Sequence, residues 1–177
     1  VLNMSNDFVG DFYDGIVKLN AAMEVRKHVL DQTLAHLEEL RRSSGDTPDV
    51  MAAIAKTYGL YGQYYFSIRA ANLGEIEKSF DNFHTSLNMF NELVDRDYPQ
   101  FKYALAISHL KISDLHKSEQ KYGDSLTYLD DATQILQEYI TENPDDEDKA
   151  IRAKTHIDLA RIDVLIKLIR IYELFQN

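Results

Sequence analysis

The sequence predicts an all-α fold, a right-handed α-solenoid of antiparallel helical hairpins closed by a long C-terminal capping helix. Three observations predict it. Apolar residues recur at helical spacing over nearly the whole chain, and no alternating run reads as a strand. The three prolines, in Thr47-Pro48-Asp49, Tyr98-Pro99-Gln100 and Asn143-Pro144-Asp145, each sit where an amphipathic helix starts, at intervals of 51 and 45 residues. Proline suits a helix's first turn because its missing N–H has no intrahelical partner there, and a neighbouring Asp favours the positive end of the helix dipole. Two hairpins also superimpose: an offset of 46 places Ser79 on Ser125, Phe80 on Leu126, Phe83 on Leu129 and Ser86 on Ala132, and an offset of 51 places Tyr61-Gly62 on Ile112-Ser113 and Tyr65 on His116. A hairpin of this kind cannot bury both faces alone, so neighbours share one core.

Element by element, Phe8, Phe12 and Ile16 form one stripe of a leading helix, Ser5 to Leu19. A second helix, Ala22 to Arg42, follows Val25, Val29, Leu30, Leu34, Leu37 and Leu40, and Ser43-Ser44-Gly45-Asp46 stops it. The third starts at Pro48 and carries Met51, Ile54, Tyr58, Tyr61 and Tyr65 on one side, losing its pattern near Ala70-Ala71-Asn72-Leu73-Gly74. Phe80, Phe83, Leu87 and Phe90 define a fourth, Glu75 to Val94. The fifth runs from Pro99 to Glu119 and breaks at Tyr122-Gly123-Asp124, and the sixth runs from Ser125 to Thr141. The last, from Pro144, is apolar on more than one side. One domain of residues 1–177 is expected, with leading helices 1–46, repeats 47–97 and 98–142, and a capping helix 143–177.

Composition narrows the function classes. Twenty-nine acidic against nineteen basic residues, a net charge of −10, disfavours nucleic acid and anionic membrane surfaces, which need clustered Lys and Arg. A protein or peptide partner, basic or extended, fits better. The absence of cysteine removes disulfides, thiolate metal sites and Cys nucleophiles. Val164 to Ile171 is interrupted by Lys167 and Arg170, so direct membrane insertion is not expected, and no signal-peptide pattern opens the chain. The chain starts at Val1 and is expected to be part of a longer protein.

Large apolar, small and aromatic residues in order, then a Gly-containing turn, a small residue and a bulky one, resemble tetratricopeptide repeats over Pro48 to Tyr139. Glu24 to Leu40 resembles an isolated second helix and Asp145 to Phe175 a capping helix. The strings Asp7-Phe8-Val9-Gly10-Asp11-Phe12-Tyr13-Asp14-Gly15-Ile16, Val25-Arg26 through Leu37, and Ala70-Ala71-Asn72-Leu73-Gly74-Glu75 are similar to the repeat region that follows the transmembrane helix of certain bacterial serine/threonine protein kinases. Departures from the pattern are Ser79 and Ser125 in place of Ala, and Ser113 in place of Gly. The resemblance implies a noncatalytic protein-binding or sensory module of a larger signalling protein, on the extracytoplasmic side of a bacterial inner membrane, or otherwise in the cytoplasm. Similar repeats occur in membrane-anchored transcriptional regulators, and a stand-alone scaffold, small enzyme or ligand carrier is the alternative reading.

No catalytic, cofactor-binding or metal site is expected. The chain has no glycine-rich phosphate loop, His-Arg-Asp string or Asp-Phe-Gly, and Asp145-Asp146-Glu147-Asp148 lacks the glycine of a calcium loop and reads as a solvated helix N-terminus. His109 and His116 share a face near Asp114, but seven residues separate them by roughly 10.5 Å, too far for one ion. Tyr58, Tyr61 and Tyr65 have core spacing, leaving Tyr64 and Phe66 to face a groove or a partner. In the tetratricopeptide register the concave groove is lined by Lys56, Gly59, Gln63, Phe66 and Ser67 from one helix and Ile107, Leu110, Asp114, Lys117 and Ser118 from the next. Tyr64, Val164, Ile171 and Phe175 are the candidate interface. The last helix is too apolar for a simple cap, and is expected to be covered by the Phe8-Phe12-Ile16 helix or by a second copy in a homodimer.

Overall fold

The computed structural model describes residues 23–67 and 75–176, and these are helical almost throughout. The leading Phe8-Phe12-Ile16 stripe and the Asn72-Leu73-Gly74 turn lie outside the described residues. Six α-helices follow in order: α1 (Met23–Ser44), α2 (Pro48–Ser67), α3 (Glu75–Asp95), α4 (Lys102–Ser118), α5 (Tyr122–Glu142) and α6 (Glu147–Gln176), with single 3₁₀ turns at Pro99–Phe101 and Pro144–Asp146. The chain divides into two compact units, 1–89 and 90–177, the division falling inside α3.

In the first unit, Gly45 takes up a positive φ of 80° and its N–H bonds to the carbonyl of Arg41, ending α1 where the glycine was expected to end it. Thr47 then caps α2, its hydroxyl accepting from the Val50 N–H, with Pro48 in the first turn. Helices α1 and α2 run antiparallel: Leu37 packs with Val50 and Ile54 at one end, and Leu30 with Tyr61 and Tyr64 at the other. The Tyr61 hydroxyl donates to Asp31, which also holds Lys27. Helices α2 and α3 meet through small residues. The Ser79 hydroxyl donates to the Gly62 carbonyl at 2.7 Å, and Gly59 faces Ser86.

The second unit repeats this device. Ser113 and Ser125, the equivalents of Gly62 and Ser79 in the sequence alignment, share a buried hydroxyl–hydroxyl hydrogen bond of 2.8 Å where α4 and α5 cross. Lys102 reaches Glu138 and Glu142 at the opposite end of the same pair. A core of Ala106, Leu110, Leu129, Ala132, Leu136 and Tyr139 lies between α4 and α5, and α6 closes it with Ala153 and Ile157. Helix α6 runs antiparallel to α5 and parallel to α4: Lys149 Nζ sits 4.3 Å from the ring centroid of Tyr103, and Lys117 pairs with Asp163 at 3.5 Å. Both contacts join residues 46 apart, the offset found by aligning the hairpins.

Three boundaries differ from the expectation. At Pro99 and Pro144 the chain makes a 3₁₀ turn first, and the α-helix starts three residues later. Tyr122-Gly123-Asp124 is not a break but the first turn of α5. The break falls on Glu119 to Lys121, where Gln120 adopts a positive φ of 63°.

Candidate functional site

The inner stripe of α5 is Ser125, Leu129, Ala132, Leu136 and Tyr139, all buried at helical spacing. The same spacing places Asp130, Gln134, Gln137 and Thr141 together on another face, with Thr133 and Glu138 beside them. These six and Arg161 of α6 line an open groove of about 400 Å³. Residues 130 to 141 span roughly 16 Å of helix, enough for about five residues of extended chain.

Arg161 is fixed by three contacts. Its guanidinium pairs with Asp130 at 2.8 Å, donates to the Thr133 hydroxyl at 2.9 Å and reaches the Leu129 carbonyl at 3.3 Å. The last acceptor is shared, since the Thr133 hydroxyl, four residues on, also donates to it at 2.7 Å. Among the described residues the buried Arg161 Nε–H has no acceptor. At the far end, Glu138 is held by Lys102 and Gln134, and these bonds, Lys102 first, keep its carboxyl below its usual range. Bonding to Glu142, then Glu138, outweighs burial and raises Lys102.

Beyond the groove, Tyr139 donates its hydroxyl to Asp146 in the acidic run, which also pairs with Lys149. Burial, then this bond, pushes the Tyr139 phenol up to about 12, while the bond lowers Asp146. The acidic run therefore leads into α6, with Asp146 turned to partners within its own unit.

The residues expected to line a groove fall in both units. On α2, Lys56 is exposed, Gly59, Gln63 and Phe66 are half-buried, and Ser67 is the last helical residue, its side chain outside the description. On α4, Leu110 is in the core and Ile107 packs against it. Asp114 pairs with Lys117, Lys117 also with Asp163 of α6, and the Ser118 hydroxyl turns back to the Leu115 carbonyl. This stretch of α4 is thus met by α6 rather than open.

The expected interface changes too. Tyr64 is buried against Leu30, with its ring edge-on to Tyr65, so Tyr64 is core and Tyr65 the half-exposed ring. Val164 is fully buried, Ile171 is half-buried, and the Phe175 side chain lies outside the description. The outward face of α6 is instead Leu159, Ile162, Leu165, Ile166, Ile169 and Tyr172. Both faces of this helix are apolar, so periodicity alone does not say which one packs.

His109 and His116 do share a face, on either side of the Tyr128 ring at centroid distances of 5.7 and 5.3 Å. Asp131 and Asp124 lie 3.6 and 3.7 Å from their Nδ1 atoms. Asp114 turns to Lys117 instead. Among the described residues no group of three or more His, Cys, Asp or Glu is placed to hold a metal ion, and no described helix is long and apolar enough to cross a membrane. Comparison with protein-family models, with curated proteins and with solved structures gives no match.

Proposed function

We propose that the chain is a noncatalytic protein-interaction module of tetratricopeptide-like, right-handed solenoid design, and that it binds an extended, basic peptide segment along the polar face of α5. The observation that carries this reading is the groove from Asp130 to Thr141 with the anchored Arg161 at its side. Gln134, Gln137 and Thr141 can each exchange hydrogen bonds with a peptide main chain. The net charge of −10 draws basic segments toward the surface over acidic ones.

The solenoid reading is supported by the parallel placement of α4 and α6 at a 46-residue offset, and by the equivalent small-residue contacts Gly62–Ser79 and Ser113–Ser125. The sequence resemblance carries the further proposal that the module belongs to a larger bacterial signalling protein such as a membrane serine/threonine kinase.

Fluorescence anisotropy with labelled decapeptides of alternating Lys and Ser, or Glu and Ser, tests the binding reading. The Lys peptide is expected to bind and to weaken with salt, and Asp130→Lys with Glu138→Lys to reduce affinity about tenfold or more, as two charge reversals at close range do. Equal binding of both peptides, or of neither, overturns it.

A further inference from the structure

Helix α6 is apolar on two opposite faces. One carries Ala153 and Ile157, which join the core of their own unit, and Val164, all at most 2% exposed. The other carries Ile151, Leu159, Ile162, Leu165, Ile166 and Ile169, which are 44–59% exposed. A helix that needs only one partner keeps polar residues along its outer face, and here that face carries six aliphatic side chains between residues 151 and 169, about 27 Å of helix, interrupted only by Thr155 and Asp158.

We propose that this face pairs with the same face of a second copy, α6 against α6, antiparallel about a two-fold axis between residues 165 and 166. Three features favour a second copy. Within the overlap of the two helices, Leu159, Ile162, Leu165, Ile166, Ile169 and Tyr172 offer roughly 500 Å² of mostly apolar surface per copy, so the pair reaches about 1,000 Å², the threshold of a specific interface. The surface charge also permits it: the chain carries −10, yet residues 147–176 hold six basic and five acidic side chains, so two copies meet there with less repulsion than their other surfaces would give. The pattern is self-complementary. The axis sets Ile162 opposite Ile169, Leu165 opposite Ile166 and Leu159 opposite Tyr172 of the other copy, and brings Asp163 near its Arg170; Asp158 opposite Glu173 at either end is the one unfavourable pair. Parallel pairing would instead align the helix dipoles. The pairing does not involve the α5 groove and stands independently of it.

Sedimentation equilibrium of the 177-residue chain across the micromolar to sub-millimolar range tests the pairing. The expected mass is twice 20.4 kDa at the upper end, falling to 20.4 kDa for the Ile162→Glu, Ile169→Glu double variant with its helical circular dichroism unchanged. The orientation has its own test because the chain has no cysteine of its own. Under copper-phenanthroline oxidation, Ile162→Cys mixed with Ile169→Cys is expected to form covalent dimers, and Ile162→Cys alone is not. Seven residues, about 10 Å, would separate the like cysteines, beyond disulfide reach. A monomer at every concentration, a double variant that still dimerises, or self-crosslinking of Ile162→Cys would each overturn the proposal.

Discussion

A Cβ added at Gly62 would lie 2.5 Å from Cδ1 and 2.7 Å from Cγ of Phe83, a ring that is itself buried, so neither side can yield. Gly62→Ala is therefore expected to cost about 1–3 kcal/mol in urea unfolding, despite alanine's better helix propensity. Gly59, whose added Cβ would meet only the Ser86 hydroxyl at 3.3 Å, should tolerate the same change with little loss. At the equivalent crossing of the second unit the contact is polar. Ser113→Ala or Ser125→Ala alone leaves one buried hydroxyl without its partner, at about 1–3 kcal/mol, whereas the double variant should recover much of that loss. Ionisation acts at Tyr139. Its phenol is raised, so its contribution is complete below the usual tyrosine value of about 10 and is lost as pH rises from about 10 to about 12. Asp146 is lowered, so its contribution is present above the usual carboxylate range and is lost as pH falls through it. Tyr61, raised by burial and by Asp31, adds to the alkaline loss. Tyr139→Phe should therefore lose less stability than the parent between about pH 9 and about pH 11, measured by urea midpoints, and an equal loss would refute the assignment.

The helices themselves were legible because their inner faces keep strict helical spacing, as in Leu30, Leu34 and Leu37 of α1 or Leu129, Ala132 and Leu136 of α5. Their ends were legible only where glycine or proline marks them. After α3 and after α4 the chain stops by the same motif, with Tyr98 N–H bonding to the Leu93 carbonyl and Lys121 N–H to the His116 carbonyl. The left-handed residue in each is Asp97 or Gln120, not glycine, so Gly123 drew the break three residues too late. Gln120→Gly is expected to stabilise the second unit by up to about 1 kcal/mol, since it relieves a left-handed backbone at some entropic cost. The two faces of α6 should respond differently. Ile157→Ala opens a cavity in the core at about 2–5 kcal/mol, while Ile162→Ala in dilute monomer should stay within about 0.5 kcal/mol. The choice between those faces was not legible, because both present aliphatic side chains and only tertiary contact decides which is buried. The α5 groove was hidden for another reason. Its residues read as an ordinary solvated face until Arg161, some thirty residues along the chain, is brought across to Asp130 and Thr133.

At the scale of the whole molecule, the chain is acidic, cysteine-free and helical, with hairpins built on small-residue crossings. In the proposed reading two surfaces divide the work, the polar face of α5 for a peptide and the outer face of α6 for another copy. Both lie in the unit of residues 90–177, so a dimer would present two grooves and could hold a bivalent ligand with higher avidity than either groove alone. Where on the surface a peptide binds decides whether the α5 groove is its site. Titrating the ¹⁵N-labelled chain with the alternating Lys/Ser decapeptide and mapping amide shifts by NMR should move Asp130, Thr133, Gln134, Gln137, Glu138 and Thr141 with the Arg161 side chain, leaving the exposed face of α2 around Lys56 unmoved. Shifts confined to α2, or spread evenly over acidic residues throughout the chain, would contradict a peptide site on α5.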